Sequence, residues 1–507
     1  MKKFKKSRIF LILFTVILAA VMSVFCVACD IKNPFKSDSD GSGNNTTAPD
    51  GNNGSSTDDK GNNADDKKPD GSTGGNTDDK KPDDNTGGNT DDKKPDDNTG
   101  GNTDENKPND NTGGNTDENK PNDNTGGNTD ENKPNSEVAS GEKGEISASK
   151  LSIHFLELGN KSAGDSILIK CGNTEVLIDA GSQQSSATTI KSYINQYCTD
   201  NTLEYVISTH GDEDHISGLV GTSSSGKYNG VLYSYNIGTF IKFDNTEKSE
   251  TTKSGGRSLY GKYLDAVSYA ESRGTHVFTA SQCYDQTMDG AQRQYYLDEE
   301  RTVSINILYN YYYYNQASDE NNHSVVTLLT EEVGGGRRNY LFTGDLEEDG
   351  ERRMVDYYKS VPADHATDYN VLPEVELYKA GHHGSPTSST AKLMDVIKPK
   401  YVAVCCCCGS TEYTMTNANT FPSQAMIDNV GKYTDKIYVT SLATGLSEKN
   451  DKGDYTSRTF GGFTSMNGNI VFYSTGENLK LYCTNNDTVL KDTDWFKDNR
   501  TWPANGV

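Results

Sequence analysis

Residues 146–500 predict a mixed α/β fold, classed α/β or α+β, on three observations. Short apolar stretches rich in β-branched residues recur along this part of the chain, the pattern of buried strands. Several of these stretches stop at a loop bearing Gly, Asp or His, as at Ile178-Asp179-Ala180-Gly181, Ser208-Thr209-His210-Gly211, Thr343-Gly344-Asp345 and Ala380-Gly381-His382-His383. About 370 residues follow the low-complexity region, ample for one large domain.

The segments that precede this domain have their own signatures. Lys2, Lys3, Lys5, Lys6 and Arg8 lead into an apolar run from Ile9 to about Ala28, the layout of a secretory signal. Cys26-Val27-Ala28-Cys29 closes the run and is similar to a bacterial lipobox, so residues 1–29 read as a lipoprotein-type signal peptide with Cys29 lipidated. The same run is also close to the roughly 20 residues that span a bilayer uncleaved. Both readings tether the protein to the extracellular face of the cell membrane; the lipid-anchored one is preferred, with free secretion as the variant.

Residues 30–145 read as a disordered, low-complexity linker. From Lys36 to Asn135 apolar residues almost vanish, and Gly-Gly-Asn-Thr-Asp-(Asp/Glu)-x-Lys-Pro recurs with a 13-residue step at Gly74, Gly87, Gly100, Gly113 and Gly126. Such units have no apolar face to stack, so neither a core nor a solenoid forms, and chain entropy goes unopposed. Scaling at roughly 5–6 Å × √n, the linker spans about 50–60 Å, enough to hold a catalytic domain away from a membrane.

Charge and cysteine content narrow the functional classes. Residues 136–507 carry 48 Asp and Glu against 32 Lys and Arg, which argues against broad electrostatic capture of nucleic acid. Beyond Cys29 the cysteines are Cys171, Cys198, Cys283, Cys405, Cys406, Cys407, Cys408 and Cys483. Strand neighbours point to opposite faces, so the run Cys405–Cys408 cannot converge on one metal and reads as a buried strand after Tyr401-Val402-Ala403-Val404.

Within the domain, Leu151–Leu158, Ile167–Ile169 and Glu175–Ile178 read as the opening strands. Leu203–Ser208 is a further short apolar strand, and it runs into the most informative stretch. His210-Gly211-Asp212-Glu213-Asp214-His215 packs two imidazoles and two non-adjacent carboxylates into six residues, in a chain with only 8 His, so chance is a poor explanation. A mixed N/O cluster at the C-terminal end of a strand suits one or two divalent transition ions. Residues 221–301 carry little beyond weak helical spacing in Tyr260–Arg273. A strand returns at Val303–Tyr309, and Tyr311–Tyr314 after it reads as a solvent-edge strand, with base or sugar stacking as the alternative.

The stretch His210–His215 resembles the His-x-His-x-Asp-His signature of metallo-β-lactamase-fold hydrolases, with Asp212 at the second His. That variant is similar to the hydrolase domain of ComEC-type DNA-internalisation proteins, and Gly381-His382-His383-Gly384-Ser385 matches the same branch. The resemblance covers roughly residues 150–485 and implies an αββα sandwich. It implies two divalent metal ions, Zn or Mn: His210 and Asp212 on one, Asp214, His215 and His383 on the other, and Asp345 between them. It further implies Asp179 as a supporting acceptor, His382 as the substrate-facing catalytic group, and Asp214 as both ligand and catalytic residue. His382 and His383 are open to exchange of roles, and His323, within Asn322-His323-Ser324, is a further candidate ligand. Phe421-Pro422 stands where the branch has a His-Pro pair.

The function expected from this resemblance is a metal-dependent phosphodiesterase or nuclease, acting on nucleic acid or a cell-envelope polymer. No other apolar run approaches 18 residues, which argues against a DNA channel. A surface-displayed binding module with a structural metal, and a hydrolase of esters, thioesters or lactams, are the alternatives. No protein partner is evident.

Two outcomes test the flanking segments. Cys29→Ala releases the protein from membranes or leaves an uncleaved precursor; unchanged fractionation with unchanged mature mass rejects the lipid anchor. Deletion of residues 40–130 leaves turnover of soluble substrates intact, and a large drop in melting temperature would expose structure in the linker.

Overall fold

The computed structural model describes residues 140–507, except 363–364, 366–369 and 477. The signal and most of the linker assigned from sequence lie outside the described residues. Two eight-stranded sheets pack face to face with helices outside, the predicted αββα arrangement. In the first sheet the spatial order is Asn478–Cys483, Ile470–Thr475, Leu151–Phe155, Ile167–Cys171, Thr174–Ile178, Thr202–Ser208, Asn236–Lys242 and His276–Thr279. In the second it is Gly462–Ser465, Ile437–Thr444, Tyr401–Cys408, Leu377–Lys379, Gly336–Phe342, Thr327–Val333, Val303–Ile307 and Gln294–Tyr296.

Each sheet has a parallel part. Thr174–Ile178, Thr202–Ser208, Asn236–Lys242 and His276–Thr279 run parallel in the first. Gly336–Phe342, Leu377–Lys379, Tyr401–Cys408 and Ile437–Thr444 do so in the second. Parallel neighbours end at the same sheet edge, so loops leaving their C-terminal ends gather there. Asp179, His210–Asp212, Asp345 and His382–His383 lie on such loops, and Asp214 and His215 in the first turn of the helix that follows one of them.

Strand alternation sorts the apolar residues into two cores. Ile153, Phe155, Leu329, Tyr340, Phe342, Ala403 and Cys405 fill the space between the sheets. Leu341, Val402, Val404, Cys406 and Cys408 instead face helices Glu348–Ser360, Ala391–Ile397 and Gln424–Val430, through Met354, Leu393 and Ile427. Burying an aliphatic or thiol side chain on either face contributes about 1.5–3 kcal/mol. The four consecutive cysteines are buried and unbridged, as strand packing residues.

Three expectations need correction. Residues 221–301 contain the helix Leu259–Ser272, but also the strands Asn236–Lys242 and His276–Thr279, which extend the first sheet. Their burial is uneven, so no clean alternation marks them in sequence. Tyr311–Tyr313 form a 3-10 turn, where Asn310 accepts from the Tyr312 N–H and buried Tyr313 accepts from the Val326 N–H. A local side-chain cap thus overrides the aromatic preference for a strand. The strand after Thr302 stops at Ile307.

One ion network joins the two sheets. Lys379 is fully buried on the second sheet, and its Nζ lies 2.5 Å from Asp165 Oδ2, on the loop that enters Ile167–Cys171 of the first. The same Nζ is 3.5 Å from Asp345 Oδ1 and donates to the Gly344 carbonyl at 3.4 Å. Burial works against the ammonium, yet Asp165 and Asp345 hold its pKa above that of an ordinary lysine. Breaking a buried pair by removing one partner strands the other charge and costs about 3–5 kcal/mol. Lys379→Met is therefore expected to lower unfolding free energy by about that amount in urea titrations; a change under about 1 kcal/mol, the scale of exposed pairs, contradicts the network.

Candidate metal centre

The first half of the site is built around Asp179. At φ 58° its backbone is left-handed, a conformation uncommon outside Gly and tolerated best by Asn and Asp. Its Oδ1 accepts the Thr209 N–H at 2.7 Å, its Oδ2 accepts the Thr209 hydroxyl at 2.7 Å, and Oδ2 lies 2.8 Å from His215 Nδ1. The carboxylate thereby pins the strand end and turns the imidazole so that Nε2 faces inward. Asp212 begins the helix Glu213–Val220, its carbonyl accepting from the N–H groups of His215 and Ile216. Gly181 must lack a side chain, because a Cβ there would sit 1.5 Å from the Asp214 carbonyl oxygen.

The second half comes from the other sheet. Ser324 Oγ accepts the Asp345 N–H at 3.1 Å and donates to the Asn321 carbonyl at 2.7 Å. Asn322 Oδ1 accepts the N–H groups of Glu347 at 3.3 Å and Gly350 at 3.1 Å, anchoring the helix after Asp345. His382 and His383 occupy left-handed backbone at φ 45° and 54°. His383 Nδ1 sits 2.9 Å from the Cys405 carbonyl and 3.2 Å from Asp165 Oδ1, which again leaves Nε2 directed at the centre.

Asp214, His215, Asp345 and His383 each offer one ligand atom, all within 4.8 Å of one another. Asp345 Oδ2 is 3.1 Å from Nε2 of both His215 and His383, and His383 Nε2 is 3.4 Å from Asp214 Oδ2. His210 stacks beside them with ring centroids 4.1 Å from His215, and its Nε2 is 3.5 Å from Asp212 Oδ2. Nε2 of His210, His215 and His383 are buried with no hydrogen-bond partner. Unpaired buried polar atoms are costly. Imidazole nitrogens turned by their opposite nitrogens toward carboxylates are the donor set of a divalent ion such as zinc, so the residues present fit a metal.

The electrostatics point the same way. Burial disfavours the imidazolium of His215 and of His383, but Asp345 beside each, with Asp179 or Asp165 behind, holds both pKa values well above normal. Burial likewise disfavours the Asp345 carboxylate, and His215, His383 and Lys379 hold it well below the usual carboxylate range. Asp212 falls to about 2 despite burial, through His210 and then Lys248. The centre is an anionic pocket that attracts cations.

The site residues expected from sequence therefore divide. Asp214, His215, Asp345 and His383 come together, His210 and Asp212 pair alongside, and His382 stands outside the group at its open wall. The His382 side chain is 19% exposed, with Nδ1 3.2 Å from Glu347 Oε1 and Nε2 3.9 Å from Asp345 Oδ2. His323 is buried next to Gln316, Nε2 to Nε2 3.3 Å, and is not a member of the donor group. Phe421 packs against the rings of His382, His383 and Tyr413.

Several residues at the site escaped sequence reasoning. Asp165 and Lys379 had faint signals, an acid at the mouth of an apolar strand and a cation inside one. Lys248, paired with Asp212, and Tyr413, whose hydroxyl donates to Asp214 Oδ2 at 3.0 Å, had none. A cleft of about 850 Å³ opens onto Asp212, Asp214, Asp345 and His382, with Ser162, Ser182, Gln183 and Asn321 among its other walls.

Residues 159–255 match the Metallo-beta-lactamase superfamily. No curated protein matches the sequence. Similar solved structures include the metallo-beta-lactamase fold protein YhfI from Bacillus subtilis, at 11% identity over 50% of this chain and 85% of that one, TM-score 0.25. Another is MEM-A1, a subclass B3 metallo-beta-lactamase isolated from a soil metagenome library, at 11% identity over 46% and 78%, TM-score 0.26. The matched span holds Asp165, Asp179 and the whole run from His210 to His215.

Proposed function

We propose that this chain is a metal-dependent hydrolase of phosphodiesters, held at the outer face of the cell membrane through Cys29. The observation that carries the hydrolase reading is the convergence of unpartnered Nε2 atoms and carboxylates at the floor of an open cleft. Structural metal sites are closed, whereas catalytic ones keep a face open to substrate. Asp214, His215, His383 and Asp345 would hold one divalent ion, and His210 with Asp212 a second. Such ions, zinc or manganese, supply Lewis acidity and lower the pKa of water.

The phosphodiester reading rests on oxygen. Asp212 in place of an imidazole adds a carboxylate and shifts preference toward harder ions, which suit phosphoryl oxygens. Ser162, Ser182, Gln183 and Asn321 give the cleft hydroxyl and amide donors for the same oxygens. Glu347 holds His382 Nδ1, so the other ring nitrogen faces the cleft, placed to protonate a leaving oxygen or to steady charge on phosphorus. The acidic balance of residues 136–507 works against broad electrostatic capture of any polyanionic diester, nucleic acid or envelope polymer, so recognition rests on the metal and the cleft walls.

The mutant set that tests this reads metal content and turnover together. Asp345→Asn and His383→Ala are expected to lose metal. His382→Ala is expected to retain it while kcat on bis-p-nitrophenyl phosphate falls about 10²–10³-fold. Metal loss in His382→Ala but not in His383→Ala reverses the assignment of the pair. Turnover of a lactam or thioester, with none of a phosphodiester, overturns the substrate class.

A further inference from the structure

We infer that Lys248 is a lock on the second metal subsite, so that the chain binds one divalent ion tightly and admits another only by displacing this ammonium from Asp212. The inference rests on the metal reading above and deepens it. Asp214, His215, Asp345 and His383 form a four-donor group. His210 and Asp212 are not gathered with a third donor at that spacing among the described residues. Lys248 Nζ bonds Asp212 Oδ1, while Oδ2 of the same carboxylate turns to His210 Nε2 at 3.5 Å. The carboxylate that the second ion needs already has a cation.

This pairing is built into the fold. Glu320, itself buried, accepts the Gly211 N–H at 3.0 Å from the metal loop. From the other side it accepts the Thr246 hydroxyl at 2.7 Å and the Glu247 N–H at 2.7 Å. Thr246 Oγ1 then accepts the Lys248 N–H at 3.0 Å. One carboxylate thus clips the segment 246–248 onto the loop His210–Asp212. A Cβ on Gly211 would meet Glu320 Oε1 at 2.6 Å, Thr246 Oγ1 at 3.0 Å and Lys248 Cγ at 3.2 Å, so the clip requires glycine there. The Lys248 side chain keeps 37% of its surface in solvent, which leaves its flexible stem a way out when an ion competes.

The experiment loads chelator-stripped full-length protein with Zn²⁺ or Mn²⁺ alone, then reads bound metal by mass spectrometry after desalting and affinities by calorimetry. The wild type is expected to retain one equivalent, its second binding at least about tenfold more weakly. Lys248→Met is expected to retain two, and Lys248→Arg, which keeps the cation, to behave as the wild type. Glu320→Gln, which loosens the clip without touching the ion pair, is expected to narrow the gap between the two affinities, and it substitutes for Lys248→Met if that variant melts early. Two equal equivalents in the wild type, or a single one in both Lys248→Met and Glu320→Gln, overturn the lock and leave the hydrolase reading standing. No metal retained by any variant overturns the hydrolase reading itself.

Discussion

The concentration of buried carboxylates between the two sheets constrains the rest of the structure. Asp165, Asp179 and Asp345 are buried together, with Asp214 on their rim. Like charges at this spacing are sustained only by cations and directed donors, because desolvation penalises each one. Lys379 supplies a permanent cation, Thr209 supplies donors to Asp179, and the imidazoles of His215 and His383 fill the gaps. What remains is an excess of acceptors facing the cleft, which is what makes the centre a place for a metal.

Backbone geometry serves the same end. Asp179, His382 and His383 adopt left-handed conformations that cost a non-glycine residue of order 1–3 kcal/mol each. Their side chains are tied by Thr209, Glu347, Cys405 and Asp165, so hydrogen bonding and charge offset that cost. The tight approach of Gly181 to the Asp214 carbonyl closes the two loops of the first sheet against each other. Rigidity here fixes ligand atoms before any ion arrives, which lowers the ordering cost of binding.

The segment between the loop His210–Asp212 and the second sheet completes the rim of the site. Its strands Asn236–Lys242 and His276–Thr279 widen the first sheet, and the connection between them carries Thr246, Glu247 and Lys248 to the rim of the site.

By itself the sequence determined the mixed α/β class, the strand ends that meet at the site and most of the side chains gathered there. These are local properties: apolar runs, turn residues and histidines clustered within six positions leave a mark in the order of residues. Only the tertiary structure decided that His383 and not His382 joins the donor group, since both share one turn and differ only in which way the left-handed backbone aims them. It also decided the places of Lys379, Asp165 and Lys248. Their partners lie 34 or more positions away in the chain, and a pairing between distant segments has no periodicity to read. The strands 236–242 and 276–279 were hidden for the related reason that uneven burial gives a strand no alternation, so its identity comes from the neighbour it pairs with.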